Sequence, residues 1–163
     1  MAAGCDHAVV LTRGSVKTDW EVELGVVIGA RARCVTEAQA LAHMADYCVI
    51  NDISQRQSQI ERGGAWDKGK GCDTFGPVGP WMVTADEVGD PQSLALWLDV
   101  YGRRCQDGNI RTMVFGVAEL VSCVGRSTSG TRRLSMAEAA GRPIKAVLRK
   151  CCTASLRRCP TRA

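Results

Sequence analysis

Between Asp19 and Gly29 the chain reads D-W-E-V-E-L-G-V-V-I-G, a two-residue alternation that predicts a β-strand. Successive side chains of a strand point to opposite faces, so Trp20, Val22 and Leu24 share one face and Glu21 and Glu23 share the other. A short strand is predicted for Ala8 to Leu11, leading through Arg13-Gly14-Ser15 into the first one. Thr36 opens T-E-A-Q, a capping-box pattern, and Ala40, Leu41 and Met44 follow at helical spacing; a helix is predicted from about Glu37 to Ala45. The β-prone run Tyr47 to Ile50 stops at Asn51-Asp52, which holds Asp52 at a strand end. Ser54 to Glu61 carries another Ser-x-x-Gln cap signal before Gly63-Gly64 and predicts a short helix.

From Gly69 to Pro80 the chain is too rich in Gly and Pro for regular structure and reads as a shaped loop, followed by a strand at Trp81 to Thr84. After Asp90-Pro91, Leu94, Leu96, Leu98 and Val100 line one face of a further strand, and Tyr101-Gly102 makes a tight reversal into Arg103 to Gln106. Met113 to Val121 passes into an amphipathic helix at Val117. Short strands with only two or three brief helices predict a β-rich α+β fold. There is no internal repeat and no Gly-rich phosphate motif.

Composition changes this picture in two ways. The 163 residues are enough for one domain with a real core. The net charge of +4 suggests a polyanion partner, but it is unevenly placed: the chain carries −5 through Ser122 and +9 from Cys123 onward. A mildly acidic body with a basic last quarter argues against nucleic acid as the main partner. The nine cysteines form no zinc-like spacing with each other or with His7 and His43, so free thiols are expected. With no apolar run long enough to cross a bilayer and no secretory pattern at the start, the expected location is the cytoplasm and no membrane partner is expected.

Two carboxylates side by side on a strand repel unless water screens them or a cation sits between them. The Glu21/Glu23 pair alone therefore fits either a hydrated strand edge or a site for a hard, oxygen-liganded divalent ion.

Four motifs in order decide what the pair resembles: D-W-E-V-E-L-G-V-V-I-G, N-D-I-S-Q-R-Q-S-Q, W-D-K-G-K-G-C-D-T-F-G-P-V-G-P-W and D-G-N-I-R-T-M-V-F. Over roughly Val9 to Ser122 this series resembles the fumarylacetoacetate hydrolase family. The branch it is most similar to includes 2,4-diketo-3-deoxy-L-rhamnonate hydrolase, ureidoglycolate lyase and 2-hydroxyhepta-2,4-diene-1,7-dioate isomerase. The resemblance implies a mixed β-roll core and a homodimer. It assigns Glu21, Glu23 and Asp52 as ligands of Mg2+, alternatively Mn2+ or Ca2+. It makes Lys70 the catalytic lysine that faces a developing enolate, has Arg56 position a small diketo-acid or ureido-acid substrate or bond to Asp52, and places Gln106 near that substrate. The implied reaction is carbon–carbon bond cleavage of a 1,3-dicarbonyl acid.

Residues 1–122 thus read as a partial catalytic core and residues 123–163 as a basic tail that matches nothing in the family. The expected His and Glu pair that activates water is missing, since His7 has no Glu at the right distance, and the P-G-D and T-G-T-P segments do not follow Ser122. The core is therefore expected to be incomplete at its C-terminus, and the alternative to an enzyme is a non-catalytic metal-binding remnant. The tail, rich in Arg, Ser, Ala and Cys, has the composition of a G+C-rich gene read out of frame, or of a disordered extension. Translating the DNA in the other two frames tests the first origin: one of them should restore a Gly-Asp strand and a T-G-T-P-like turn.

Overall fold

A computed structural model describes the backbone of residues 3–4, 8–127, 134–138 and 152–158, and side chains from 8 to 126. The strands are β1 (Ala3–Gly4), β2 (Thr18–Asp19), β3 (Val22–Ile28), β4 (Met44–Asn51), β5 (Ser54–Gln55), β6 (Pro77–Val78), β7 (Val83–Thr84), β8 (Leu94–Val100), β9 (Arg103–Asn109), β10 (Leu134–Glu138) and β11 (Cys152–Arg158). The helices are α1 (Glu37–Ala40), α2 (Trp66–Lys70), α3 (Ala85–Val88) and α4 (Val117–Ser127). This is the β-rich α+β fold expected.

One sheet runs β1-β6-β4-β3-β10, with β7 also on β4; a second runs β11-β8-β9; and β2 pairs with β5. The core lies where the even-numbered face of β3 (Val22, Leu24, Val26, Ile28) meets the even-numbered face of β8 (Leu94, Leu96, Leu98, Val100), closed by Val117 and Val121 of α4. β8 alternates buried and half-buried residues along its whole length, as its sequence predicts. α4 docks on the 32–35 connection, where Ser122 Oγ donates to the Val35 carbonyl at 2.8 Å and Cys34 N donates to the Gly125 carbonyl at 3.1 Å.

Several expectations are corrected. Ala8 to Leu11 forms no strand; it is pinned instead by Val10 N donating to Thr74 Oγ1. The capping box at Thr36 is present, but the helix is one turn followed by a 3-10 turn that ends at His43. The His43 carbonyl accepts from Gly29 N and Ala30 N, so the chain leaves the helix to pair with β3 and Met44 begins β4. Ser54 to Glu61 is not one helix: β5 comes first and a π-turn over Gln57–Glu61 follows. The reason is that Gln55, not Ser54, satisfies the free N–H groups, its Oε1 accepting from Gln57 N and Ser58 N. Regular structure also enters the Gly/Pro-rich segment, because Lys70 closes α2 and Pro77–Val78 forms β6, while the strand expected at Trp81 begins only at Val83.

Of the stretch read as a basic tail, 123–127 completes α4, β10 pairs antiparallel with β3 and β11 with β8. The rest of that stretch, and His7, lie outside the described residues. None of the described helices is long and apolar enough to cross a membrane.

The β8–β9 reversal carries a measurable cost. Both turn residues have left-handed backbones, Tyr101 at φ +54° and Gly102 at φ +75°, the geometry that favours Asn-Gly. Tyr101 is exposed, so its ring gains little from the position. Tyr101→Asn is expected to stabilise the chain by about 0.5–1 kcal/mol, read as a raised denaturation midpoint.

Candidate metal and active site

The strand pairing brings the acids together. Glu21, just ahead of β3, and Glu23 within it lie on the face turned away from the main core, with Glu23 opposite Ile50. Where β4 ends, Asp52 N donates to the Glu21 carbonyl at 2.8 Å, and Asn51 Oδ1 accepts from Glu21 N at 3.1 Å. These two bonds stitch the strand ends together and hold Asp52 beside Glu21. The result is that one carboxylate oxygen from each of Glu21, Glu23 and Asp52 lies within 4.8 Å of the others. The three residues are 7%, 5% and 6% exposed, so a hydrated strand edge does not describe them.

Two cations reach the cluster. Lys70, the last residue of α2, donates through Nζ to Glu21 Oε2 at 2.7 Å and to Asp52 Oδ2. Arg56 donates from Nη2 to Glu21 Oε1 and holds Asp19 Oδ2 with a fork, Nη2 at 2.9 Å and Nε at 3.1 Å, so its carboxylate partners are Glu21 and Asp19 and not the expected Asp52. Its Nη1 is fixed by Gln59 Oε1 at 2.9 Å. Ser54 Oγ adds a bond to Glu21 Oε2 at 3.3 Å. Gln106, on β9, reaches the strand that carries the acids, its Oε1 accepting from Val22 N at 2.8 Å, the amide that follows Glu21.

The charges show what the cluster can hold. Four carboxylates, Asp19, Glu21, Glu23 and Asp52, stand with two cations, Arg56 and Lys70, a formal charge of −2 for these six groups. Converging buried carboxylate oxygens with that surplus are a hard, oxygen-only donor set, which fits a divalent ion such as Mg2+, Mn2+ or Ca2+.

Ionisation follows the same arrangement. Burial pushes the Glu21 pKa up, but hydrogen bonds and charge from Lys70 and Arg56 outweigh it and hold Glu21 below its ordinary value of 4.5. For Asp19 burial wins over Arg56, and its pKa lies above its ordinary 3.8. Burial also works against the charged forms of Lys70 and Arg56, yet their carboxylate partners raise both pKa values.

Folding therefore favours ionised Glu21. Its contribution to stability is complete above about pH 4.5 and is lost as the pH falls through the lowered folded value, whereas Asp19 works in the opposite direction. Glu21→Gln is expected to lower the melting temperature of the metal-free chain near neutral pH. The gap to the parent should narrow as the pH is taken below about 4.5 and through the lowered folded value.

Sequence reasoning did not find Asp19, Gln59 or Ser54 as parts of this site. Asp19 was within reach, because the two-residue count that pairs Glu21 with Glu23 also includes position 19. Gln59 and Ser54 gave no such signal; their roles depend on the π-turn and on β5.

Comparison with known proteins gives the family. The family model described as fumarylacetoacetate (FAA) hydrolase C-terminal matches residues 2–132. A Burkholderia multivorans protein with hydrolase in its name is 66% identical over 119 residues, 73% of this chain and 42% of that protein. This chain thus spans about two fifths of the length of the curated relatives it matches. The structure of a 2-hydroxyhepta-2,4-diene-1,7-dioate isomerase from Mycobacterium marinum superposes with a TM-score of 0.77 at 29% identity, over 88% of this chain and 55% of that one. That of a 5-carboxymethyl-2-hydroxymuconate delta-isomerase from Mycobacterium smegmatis does so with a TM-score of 0.77 at 26% identity, over 88% and 55%. A family match that takes in β3, β4 and both acidic motifs on them leaves one conclusion: the chain belongs to the fumarylacetoacetate hydrolase family.

Proposed function

We propose that this chain carries the metal-binding part of a divalent-metal-dependent hydrolase or lyase that cleaves a carbon–carbon bond in a 1,3-dicarbonyl acid. The observation that carries this reading is the convergence of Glu21, Glu23 and Asp52 in a buried cluster with surplus negative charge. Bound there, a divalent ion supplies Lewis-acid polarisation of a substrate carbonyl and a counter-charge for an enolate.

The chain's own residues supply the rest. Glu21, Glu23 and Asp52 hold the ion, and Arg56 fixes the Glu21 carboxylate while itself held by Asp19 and Gln59. Lys70 places an ammonium group against Glu21 and Asp52, and a positive charge there favours the state in which negative charge has built up on the substrate. Arg56 and Gln106 are the polar groups assigned to the substrate. In the reaction, water adds to one carbonyl carbon, the bond to the neighbouring carbon breaks with its electron pair going to that carbon, and the resulting enolate takes a proton. Isomerisation and decarboxylation pass through the same enolate, so the names of the Mycobacterium neighbours are compatible with this chemistry.

A homodimer also belongs to the proposal. Exposed Trp81, Met82, Val114 and Phe115 offer apolar surface in support of it.

The test is turnover of an acylpyruvate by the purified chain, with and without Mg2+ or Mn2+. Metal-dependent loss of substrate absorbance supports the enzyme, whereas metal binding without turnover supports a non-catalytic member of the family.

A further inference from the structure

Lys70 stands inside the acid cluster instead of beside it. Its ammonium donates to Glu21 Oε2 at 2.7 Å and to Asp52 Oδ2, two of the three carboxylates that converge there. Arg56 takes the other Glu21 oxygen, so both oxygens of Glu21 face a cation of the protein itself. The two cations are held very differently. Arg56 has partners outside the trio, a fork onto Asp19 and a bond to Gln59, which keep it in place. Among the described residues Lys70 pairs with Glu21 and Asp52, both members of the trio, and it extends on a flexible four-carbon stem from the end of a one-turn helix, just before Gly71.

Both oxygens of Glu21 and one oxygen of Asp52 already accept from a cation of the protein, and a divalent ion held by the trio would need its oxygen ligands drawn to about 2.1 Å. A divalent ion bound by the trio and an ammonium bonded to two of the same carboxylates would stand only a few ångströms apart in a buried site, where like charges are poorly screened. The ion and the ammonium therefore compete for Glu21 and Asp52.

We infer that Lys70 is a tethered counter-cation that fills the acid cluster until a divalent ion displaces it, so that loading the site releases the lysine toward the substrate. This rests on the metal-site reading above and adds an order of events to it. Without metal the buried acids keep a partner, and with metal the ammonium becomes available to the reaction. The apparent metal affinity is then lowered by the fraction of molecules in which Lys70 still occupies the cluster.

Mn2+ binding, followed by the electron paramagnetic resonance signal of the free ion, tests this on the full chain. Lys70→Met keeps the length of the stem and removes the charge; it should bind Mn2+ about tenfold more tightly than the parent, or better. Lys68→Met, on an exposed position of the same helix, should stay within about twofold, which separates displacement from a general charge effect. A second readout needs no variant. On Mn2+ loading, backbone hydrogen exchange should speed up over residues 66–71, where the tether is released, and slow down over 44–52. Equal or weaker binding by Lys70→Met, or slower exchange over 66–71, overturns the displacement while leaving the metal site intact. Absence of Mn2+ binding by both proteins rejects the metal site itself, and the inference with it.

Discussion

Replacing Asp52 with asparagine is expected to weaken divalent-metal binding by about 100-fold, with a matching loss of any metal-dependent turnover. Asparagine keeps the size of the side chain and one oxygen but removes a full charge from a donor set whose strength is its charge. The backbone bond from residue 52 to the Glu21 carbonyl is unaffected by the change, so the strand ends stay stitched. Lys70 loses one of its two carboxylate partners at the same time, which leaves it paired with Glu21 alone. The check is a calorimetric titration with Mn2+ beside a thermal melt of the metal-free protein. A folded Asp52→Asn chain that binds Mn2+ as tightly as the parent would remove Asp52 from the ligand set.

The second large effect is expected at Gly69, a residue that touches neither metal nor substrate. α2 packs onto the π-turn so closely that a Cβ at position 69 would stand 2.5 Å from Gln59 Cβ and 2.9 Å from Gln59 Cα. Because a backbone atom is among these contacts, a side-chain rotation cannot relieve the clash. Gly69→Ala should destabilise the fold by about 1–3 kcal/mol or more. It should also reach the site, since Lys70 follows Gly69 directly and Arg56 and Gln59 sit on the opposing turn. Both cations are brought to the acids by this one close approach, and pushing the elements apart pulls both away. A thermal melt and an Mn2+ titration measure the two effects together, and an unchanged melting temperature would show that the approach is not tight.

The parts of the molecule that were legible in the sequence are those governed by alternation. Leu94, Leu96, Leu98 and Val100 point one way in the sequence and form one buried face in the fold. The same rule put Glu21 and Glu23 side by side, and the abrupt end of a β-prone run marked Asp52. What alternation does not contain is reach across the fold. The Arg56 fork onto Asp19 depends on a π-turn, and that turn exists because the Gln55 amide accepts from two backbone N–H groups that a simple cap pattern assigns to Ser54. Ser54 meanwhile turns its hydroxyl to Glu21. In the same way the helix after Thr36 ends early because β3 takes the His43 carbonyl through Gly29 N and Ala30 N, a long-range bond that no local propensity carries. Gly69 looked like one glycine among several in a loop. Its role follows from Gln59, ten positions earlier in the chain and packed against it.

These features give the fold a direct relation to the chemistry proposed for it. One face of β3 builds the core with β8, and the other face carries the charge. Burial of the even-numbered side chains fixes where the odd-numbered ones can be, so the core holds the carboxylates in place. Gly25, on the same face of β3 as Glu23, leaves room for the Cys48 and Ile50 side chains, since a Cβ there would stand 2.5 Å from Cys48 Sγ.

The most direct measurement is anomalous X-ray diffraction from crystals of this chain equilibrated with saturating Mn2+. The account predicts one strong peak within coordination distance of carboxylate oxygens from Glu21, Glu23 and Asp52. A peak elsewhere, or none while Lys70 still bridges Glu21 and Asp52, would contradict it.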